Sequence, residues 1–182
     1  EAACILAAEG PEAMPVAGGT DLYPNMKRRH QTPRVVVGLR GIETLRELRG
    51  TPETGLRLGA GMILSAVHDH PLVTEHYPGF ARAVRSISSP PLRNMGTLGG
   101  NVCLDTRCTY YNQNYEWRKS IDFCMKRDGD TCWVAQSSPK CLAVSSTDSA
   151  PILVALEAQV RLVSATGERE LPIEALYQND GM

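Results

Sequence analysis

The sequence predicts an α+β fold of two lobes, with an irregular cysteine-bearing insertion set into the second. Three observations carry that expectation. Two glycine-rich stretches, Ala17-Gly18-Gly19-Thr20-Asp21-Leu22 and Met95-Gly96-Thr97-Leu98-Gly99-Gly100-Asn101, each follow one short regular segment and open another. Runs of strand period and helix period alternate through most of the chain. Residues 102–147 lose both periods, yet hold five of the six cysteines and six of the ten aromatic residues, so they read as an insertion with its own small core.

Composition bounds the rest. A length of 182 residues suffices for one ordinary domain or two small lobes. A net charge of −1 leaves no nucleic-acid or membrane footprint. No apolar run approaches the roughly 18 residues of a membrane span, and no signal peptide is visible, so a cytoplasmic location is expected. Disulfide frameworks suit short secreted chains with small cores, which this is not. The chain opens inside a helix-like Glu1–Ala8 and stops after a loop-like Gln178–Gly181, as expected of a piece of a longer polypeptide.

In order, residues 1–9 read as an amphipathic helix stopped by Gly10-Pro11. Met14–Ala17 is a short strand running into Gly18-Gly19, and Thr20 or Asp21 is placed to cap a helix from about Leu22 to Arg29. Strand, glycines and helix start form an anion-binding arrangement. Lys27-Arg28-Arg29-His30 is a solvated basic helix end. Val35–Leu39 is a buried strand and Leu56–Gly61 an alternating one, with Gly50–Glu53 a lobe boundary. That divides the chain into a small lobe, 1–52, and a larger one, 53–182, which contains the insertion.

Ser65 is expected to cap a short helix ended by Pro71, and Phe80–Ile87 is an amphipathic helix leading to the second glycine stretch. His68, His70 and His76 show no ligand pattern. Beyond the insertion come a helix, Ile152–Glu157, a strand, Val160–Val163, a turn at Ala165–Glu168 and a return strand, Arg169–Ile173.

Cys108, Cys124, Cys132 and Cys141 are separated by 16, 8 and 9 positions. A short irregular segment struggles to offset its chain entropy by burial, and a bound metal centre supplies what is missing. Four thiolates suit zinc or an iron–sulfur cluster. Structural zinc favours close cysteine pairs, absent here, while wide spacing suits a cluster; unligated or disulfide-bonded thiols stay open as well. Cys4 and Cys103 read as small buried residues.

The two glycine stretches, with Arg93-Asn94 before the second, closely resemble the FAD-binding subunits of the molybdenum hydroxylases, the relatives of xanthine and carbon monoxide dehydrogenase. Gly59-Ala60, Tyr77-Pro78 and Asp148 stand in matching context. The resemblance implies the two-lobed FAD-binding domain of the molybdopterin dehydrogenase flavoproteins (PCMH-like). Gly18, Gly19, Thr20 and Asp21, flanked by Ala17 and Leu22, would hold the FAD pyrophosphate. Thr97, Gly100 and Asn101 would lie on the flavin side, and Asp148 would bond the ribityl or adenosine part.

Most members pass from the Asn101 position to the Asp148 position in far fewer residues. The longer passage with four cysteines resembles the β-subunits of the 4-hydroxybenzoyl-CoA reductase type. There Cys108, Cys124, Cys132 and Cys141 would ligate a [4Fe–4S] cluster. A ferredoxin-like donor would feed the cluster, and FAD would pass electrons to a small [2Fe–2S] subunit and a large molybdopterin subunit. An ordinary molybdenum hydroxylase with a zinc-bound or unligated insertion is the alternative.

Overall fold

A computed structural model describes residues 1–178 and 180–182. Helix α1 (Ala2–Glu9) leads through a 3-10 turn at Gly10–Glu12 into β1 (Ala13–Val16). None of its residues is buried, so α1 is a surface helix without the apolar stripe expected of it. The first glycine stretch separates β1 from α2 (Leu22–Lys27), and β2 (Val35–Gly38) then pairs parallel with β1, from Ala13↔Val35 to Val16↔Gly38.

Strands β3 (Leu48–Thr51) and β4 (Gly55–Leu58) form an antiparallel hairpin. Gly50 and Gly55 take φ of 94° and 86°, which glycine tolerates. The expected 52/53 boundary falls in this hairpin's turn. The punctuation that reads as a linker there is turn chemistry, and both strands lie in one compact unit.

Three short helices follow: α3 (Leu64–Asp69), α4 (Pro71–His76) and α5 (Pro78–Ser86). Pro71 and Pro78 each open a helix, where a missing N–H costs nothing. Ser65 is not a cap, because α3 starts one residue before it; the side chain that does cap is His70, whose Nδ1 accepts from Leu72 N at 3.3 Å. Then come α6 (Pro90–Arg93), α7 (Leu98–Val102), α8 (Tyr115–Ser120), α9 (Ala150–Ala155) and the antiparallel pair β5 (Gln159–Val163) and β6 (Glu168–Pro172). No helix among the described residues is long and apolar enough to cross a membrane.

The chain divides into two compact units. The first comprises 1–20, 33–103 and 147–176. Its core is the α3–α4–α5 cluster: Val67, Val73 and Val84 are fully buried, with Leu64 and Phe80 beside them. Phe80, Ala81 and Val84 recur at helical spacing on one face of α5. Each large side chain buried there contributes about 1.5–3 kcal/mol.

The second unit comprises 21–32, 104–146 and 177–182. The greater part of the insertion thus falls in one unit with α2 and the residues after it. The core of this unit is polar. Tyr111, Cys124, Cys132, Cys141 and Ala143 are buried alongside Asn25, His30 and Arg118. His30 stacks on Tyr111 with centroids 4.4 Å apart, and its Nε2 lies 3.0 Å from the Gln113 carbonyl. Arg118 Nη2 donates to the carbonyls of Arg28 and Arg29 at 3.2 Å each, which satisfies the chain beyond α2 where Arg29 takes φ 58°. Reciprocal backbone bonds between Arg107 and Val144 close the base of the insertion.

Candidate functional site

Parallel pairing places the C-terminal ends of β1 and β2 on one edge, so Ala17 and Leu39-Arg40 emerge side by side. Ligands of open α/β sheets bind at such edges. Gly19 takes φ 72°, the left-handed region that favours glycine. The amides of Gly18, Gly19 and Thr20 donate to no group among the described residues. Half-buried backbone donors without partners are uncommon, and a run of three marks an anion cradle. Helix α2, with six residues, adds little field of its own.

Gly18 lies against the second glycine stretch. A Cβ there would overlap the Met95 carbonyl oxygen and come within 2.9 Å of Gly96 Cα. The two stretches are thus in direct contact, and a cavity of about 350 Å³ opens beside them. Ala17, Arg40, Arg46, Met62, Asn94 and Thr97 are among its lining residues. Arg40 and Arg46 were not expected from the sequence. The signal that finds them is the parallel register of β2, which local periodicity does not show.

The second stretch has the glycine content of another amide cradle, but its N–H groups are mostly taken. Gly96 N bonds Leu92 O, Leu98 N bonds Met62 O and Gly99 N bonds Ala60 O. Gly100 N bonds Thr97 Oγ1 at 3.1 Å, capping α7. Among the described residues, the Thr97 amide of this stretch is left without a partner. This stretch is a pinned wall, and its glycines serve close packing: a Cβ on Gly99 would lie 2.7 Å from Ala60 Cβ, and one on Gly100 would lie 3.0 Å from Thr97 Oγ1. Asn101 is buried, and its Oδ1 accepts from Thr147 Oγ1 (2.9 Å), Ser149 Oγ (2.6 Å) and Ser149 N (3.3 Å). Asp148, between these donors, is exposed.

Asp21 and Leu22 belong to the second unit. The Asp21 carboxylate pairs with Arg107 and accepts from Asn25 Nδ2 at 2.9 Å, and it makes no cap bond to α2. Burial raises its pKa, against the pull of Arg107. Leu22 is buried.

All four insertion cysteines lie in the second unit. Cys124 sits on a tight turn: Asp122, Phe123 and Asp128 have positive φ, and the Cys124 carbonyl accepts from Arg127 N and Gly129 N. Burial pushes the Cys132 thiol up, but the amides of Ala135, Leu142 and Val134 outweigh it and hold the pKa below the usual thiol value. Cys141 is pushed up by burial; the Ala143 amide and Lys126 oppose this, while the charges of Cys132 and Cys108 add to it. Cys108, Cys132 and Cys141 are therefore near enough to feel one another. Among the described residues, no three His, Cys, Asp or Glu side chains gather to hold a metal ion. Cys4 and Cys103, expected to be buried, are exposed. His68 bonds Asp69, His70 caps α4 and His76 is exposed.

Residues 1–182 match the family described as the FAD binding domain in molybdopterin dehydrogenase. The chain belongs to this family. It is 30% identical over 185 residues to the aldehyde oxidoreductase FAD-binding subunit PaoB of Escherichia coli K12, covering 98% of this chain and 58% of that relative. It is 33% identical over 102 residues to the carbon monoxide dehydrogenase medium chain of Hydrogenophaga pseudoflava, covering 56% of this chain and 35% of that one. The fold matches the reconstituted CO dehydrogenase of Oligotropha carboxidovorans with a TM-score of 0.72 at 24% identity, over the whole of this chain and 50% of that one. This chain thus spans roughly a third to three-fifths of the length of these relatives. It is an FAD-binding domain, and the unpaired amides of residues 18–20 fit the diphosphate such a cofactor carries.

Proposed function

We propose that the chain is the FAD-carrying part of the electron-transfer subunit of a molybdenum-containing dehydrogenase. The carrying observation is the run of unpartnered amides at Gly18-Gly19-Thr20, placed against the pinned second stretch. Bound FAD supplies one- and two-electron redox chemistry. The amides of Gly18, Gly19 and Thr20 hold its diphosphate, with Ala17, Asp21 and Leu22 flanking them in sequence. Thr97, Gly100 and Asn101 form the wall on the flavin side, and the exposed Asp148 carboxylate accepts from a cofactor hydroxyl. Substrate is oxidised on a large molybdopterin subunit, a small [2Fe–2S] subunit relays electrons, and NAD or a quinone receives them. The relatives named as dehydrogenase or oxidoreductase subunits support this reading. The match to the aldehyde oxidoreductase subunit runs over 98% of the chain and so spans the insertion; an insertion here does not by itself single out a reductive enzyme.

A second reading rests on the cysteines. Backbone amides aimed at the Cys132 sulfur, and the mutual repulsion felt by Cys141, favour a cationic group among Cys108, Cys124, Cys132 and Cys141. The wide spacing of the four cysteines suits a [4Fe–4S] cube, which takes one thiolate at each of its corners, better than zinc, which favours close pairs. With that cluster, a ferredoxin-like donor and reductive dehydroxylation of 4-hydroxybenzoyl-CoA become the function.

Purifying the full-length subunit with its partners decides between them. Flavin, molybdenum, iron and sulfide contents are measured, followed by turnover with aldehydes or xanthine and an oxidant, and with 4-hydroxybenzoyl-CoA and reduced ferredoxin. Absence of flavin from the complex refutes both readings. Four iron and four sulfide per subunit beyond the [2Fe–2S] centres establishes the cluster.

A further inference from the structure

We propose that Arg40 and Arg46 bind the diphosphate of FAD together with the Gly18–Thr20 amides. The proposal rests on the FAD reading above and adds two cationic residues to it. Both arginines line the cavity that reaches Ala17 on the first glycine stretch and Thr97 on the second. Neither has a carboxylate partner among the described residues, although eight other arginines do. Arg40 Nη2 approaches Met95 Sδ at 3.9 Å, a weak contact, and the Arg46 side chain makes no hydrogen bond among the described residues.

The fold holds both in place. Arg40 follows the C-terminal end of β2, next to the end of β1. Arg46 ends a 3-10 turn, Glu43–Arg46, that is clamped from both sides: Gly61 N donates to Leu45 O at 2.6 Å and Gly59 N to Glu47 O at 2.8 Å. The glycines of Gly59-Ala60-Gly61 make that clamp possible. A Cβ on Gly59 would overlap the Leu45 carbonyl, and one on Gly61 would come within 3.0 Å of it. This gives the Gly59-Ala60 motif a task, which is to present Arg46 to the cavity.

Two guanidiniums lining one cavity repel each other until an anion lies between them. Both arginines are exposed, so water and salt reach their charges, while Ala17, Leu39, Met62 and Ile63 give the cavity its apolar walls. A guanidinium fork matches phosphate oxygens bidentately, and a diphosphate offers oxygens to both forks. The same chemistry is carried by a pyridine dinucleotide arriving as electron acceptor, so the experiment separates the two.

The full-length subunit in its complex is stripped of flavin and titrated with FAD and with riboflavin, which lacks phosphate, following flavin fluorescence. The parent is compared with Arg40→Gln, Arg46→Gln, the double glutamine variant and the double lysine variant. The Kd for FAD should rise about tenfold to a hundredfold in the double glutamine variant. Riboflavin affinity should not change, the salt dependence of FAD binding should flatten, and lysine should restore part of the loss. The proposal is overturned if FAD affinity is unchanged, if FAD and riboflavin weaken together, or if only the KM for a pyridine dinucleotide moves. A parent protein that binds no FAD removes the reading beneath it as well, and is recognised by the parent titration alone.

Discussion

Gly18→Ala tests the contact between the two glycine stretches. Alanine adds one Cβ. That atom would overlap the Met95 carbonyl oxygen, with the carbonyl carbon at 2.7 Å and Gly96 Cα at 2.9 Å. Ordinary contact begins at 3.4 Å, so the stretches must part by roughly half an ångström at the carbons and further at the oxygen. Movement on the second side is opposed by the bonds from Leu64 N to Gly96 O and from Gly96 N to Leu92 O. Overpacking against fixed backbone costs about 1–3 kcal/mol. If about 2 kcal/mol of that falls on the cofactor-binding geometry, the Kd for FAD rises about 30-fold. Gly38→Ala is the control, because a Cβ there meets nothing within 4 Å. Both variants are titrated with FAD and unfolded by heat. A Gly18→Ala protein with parental FAD affinity and parental Tm would refute the contact and its role.

Asn101→Ala strips three donors of their shared acceptor, so the first unit should lose about 2–4 kcal/mol in urea unfolding, while Asn101→Asp, which keeps the acceptor, should lose less. Burial first, then the charges of Arg118, Arg107 and Arg28, hold His30 below its ordinary value of 6.5. The unfolded chain then takes up a proton before the folded one does, so stability is full above pH 6.5 and falls as pH drops through it; a His30→Gln variant should lack that slope in the same titration. Replacing Cys124 or Cys132 by alanine should open residues 105–145 to protease while peptides of the first unit stay intact and FAD stays bound, as mass spectrometry of the digest would show; equal cleavage in parent and variants counts against a ligand-held insertion.

Local features could be read from the sequence because local chemistry decides them. The Phe80, Ala81 and Val84 stripe makes α5, a turn at Ala165–Glu168 joins β5 to β6, and glycines end β1. What could not be read depends on partners distant in sequence. The second glycine stretch has the composition of an amide cradle, yet whether its N–H groups are free depends on Ala60, Met62 and Leu92. Ser65 is a good cap residue in the wrong register, and the tertiary bond from Leu64 N to Gly96 O starts α3 before it. Gly50–Glu53 carries linker punctuation, and only the pairing of β3 with β4 makes it a hairpin turn. Arg40 and Arg46 sit in unremarkable polar sequence, and their meaning comes from the β1–β2 register and from the clamp at Gly59 and Gly61.

The insertion shows the same dependence at larger scale. Its aromatic and cysteine content marks it as a separate core, but the residues that complete that core lie far away in sequence. Asn25 and His30 come from the α2 region, and Lys126 reaches Asp105, Thr106 and the Gly181 carbonyl. Gly181 packs where a Cβ would come within 2.8 Å of Cys141 Sγ, so only glycine leaves that sulfur its place. A core of one leucine, one tyrosine, three cysteines and an alanine, closed by a buried arginine and a buried lysine side chain, gains little from apolar burial. Its polar network must therefore be nearly complete to be stable. Yet Nε and Nη1 of the buried Arg118 have no hydrogen-bond partner among the described residues, although Asp128 lies 3.7 Å from Nη1. A unit with so little apolar area and an incompletely satisfied buried cation gains much from any group that ligates its thiols. That is why loss of a cysteine should be felt across the whole of residues 105–145 and not only at the sulfur removed.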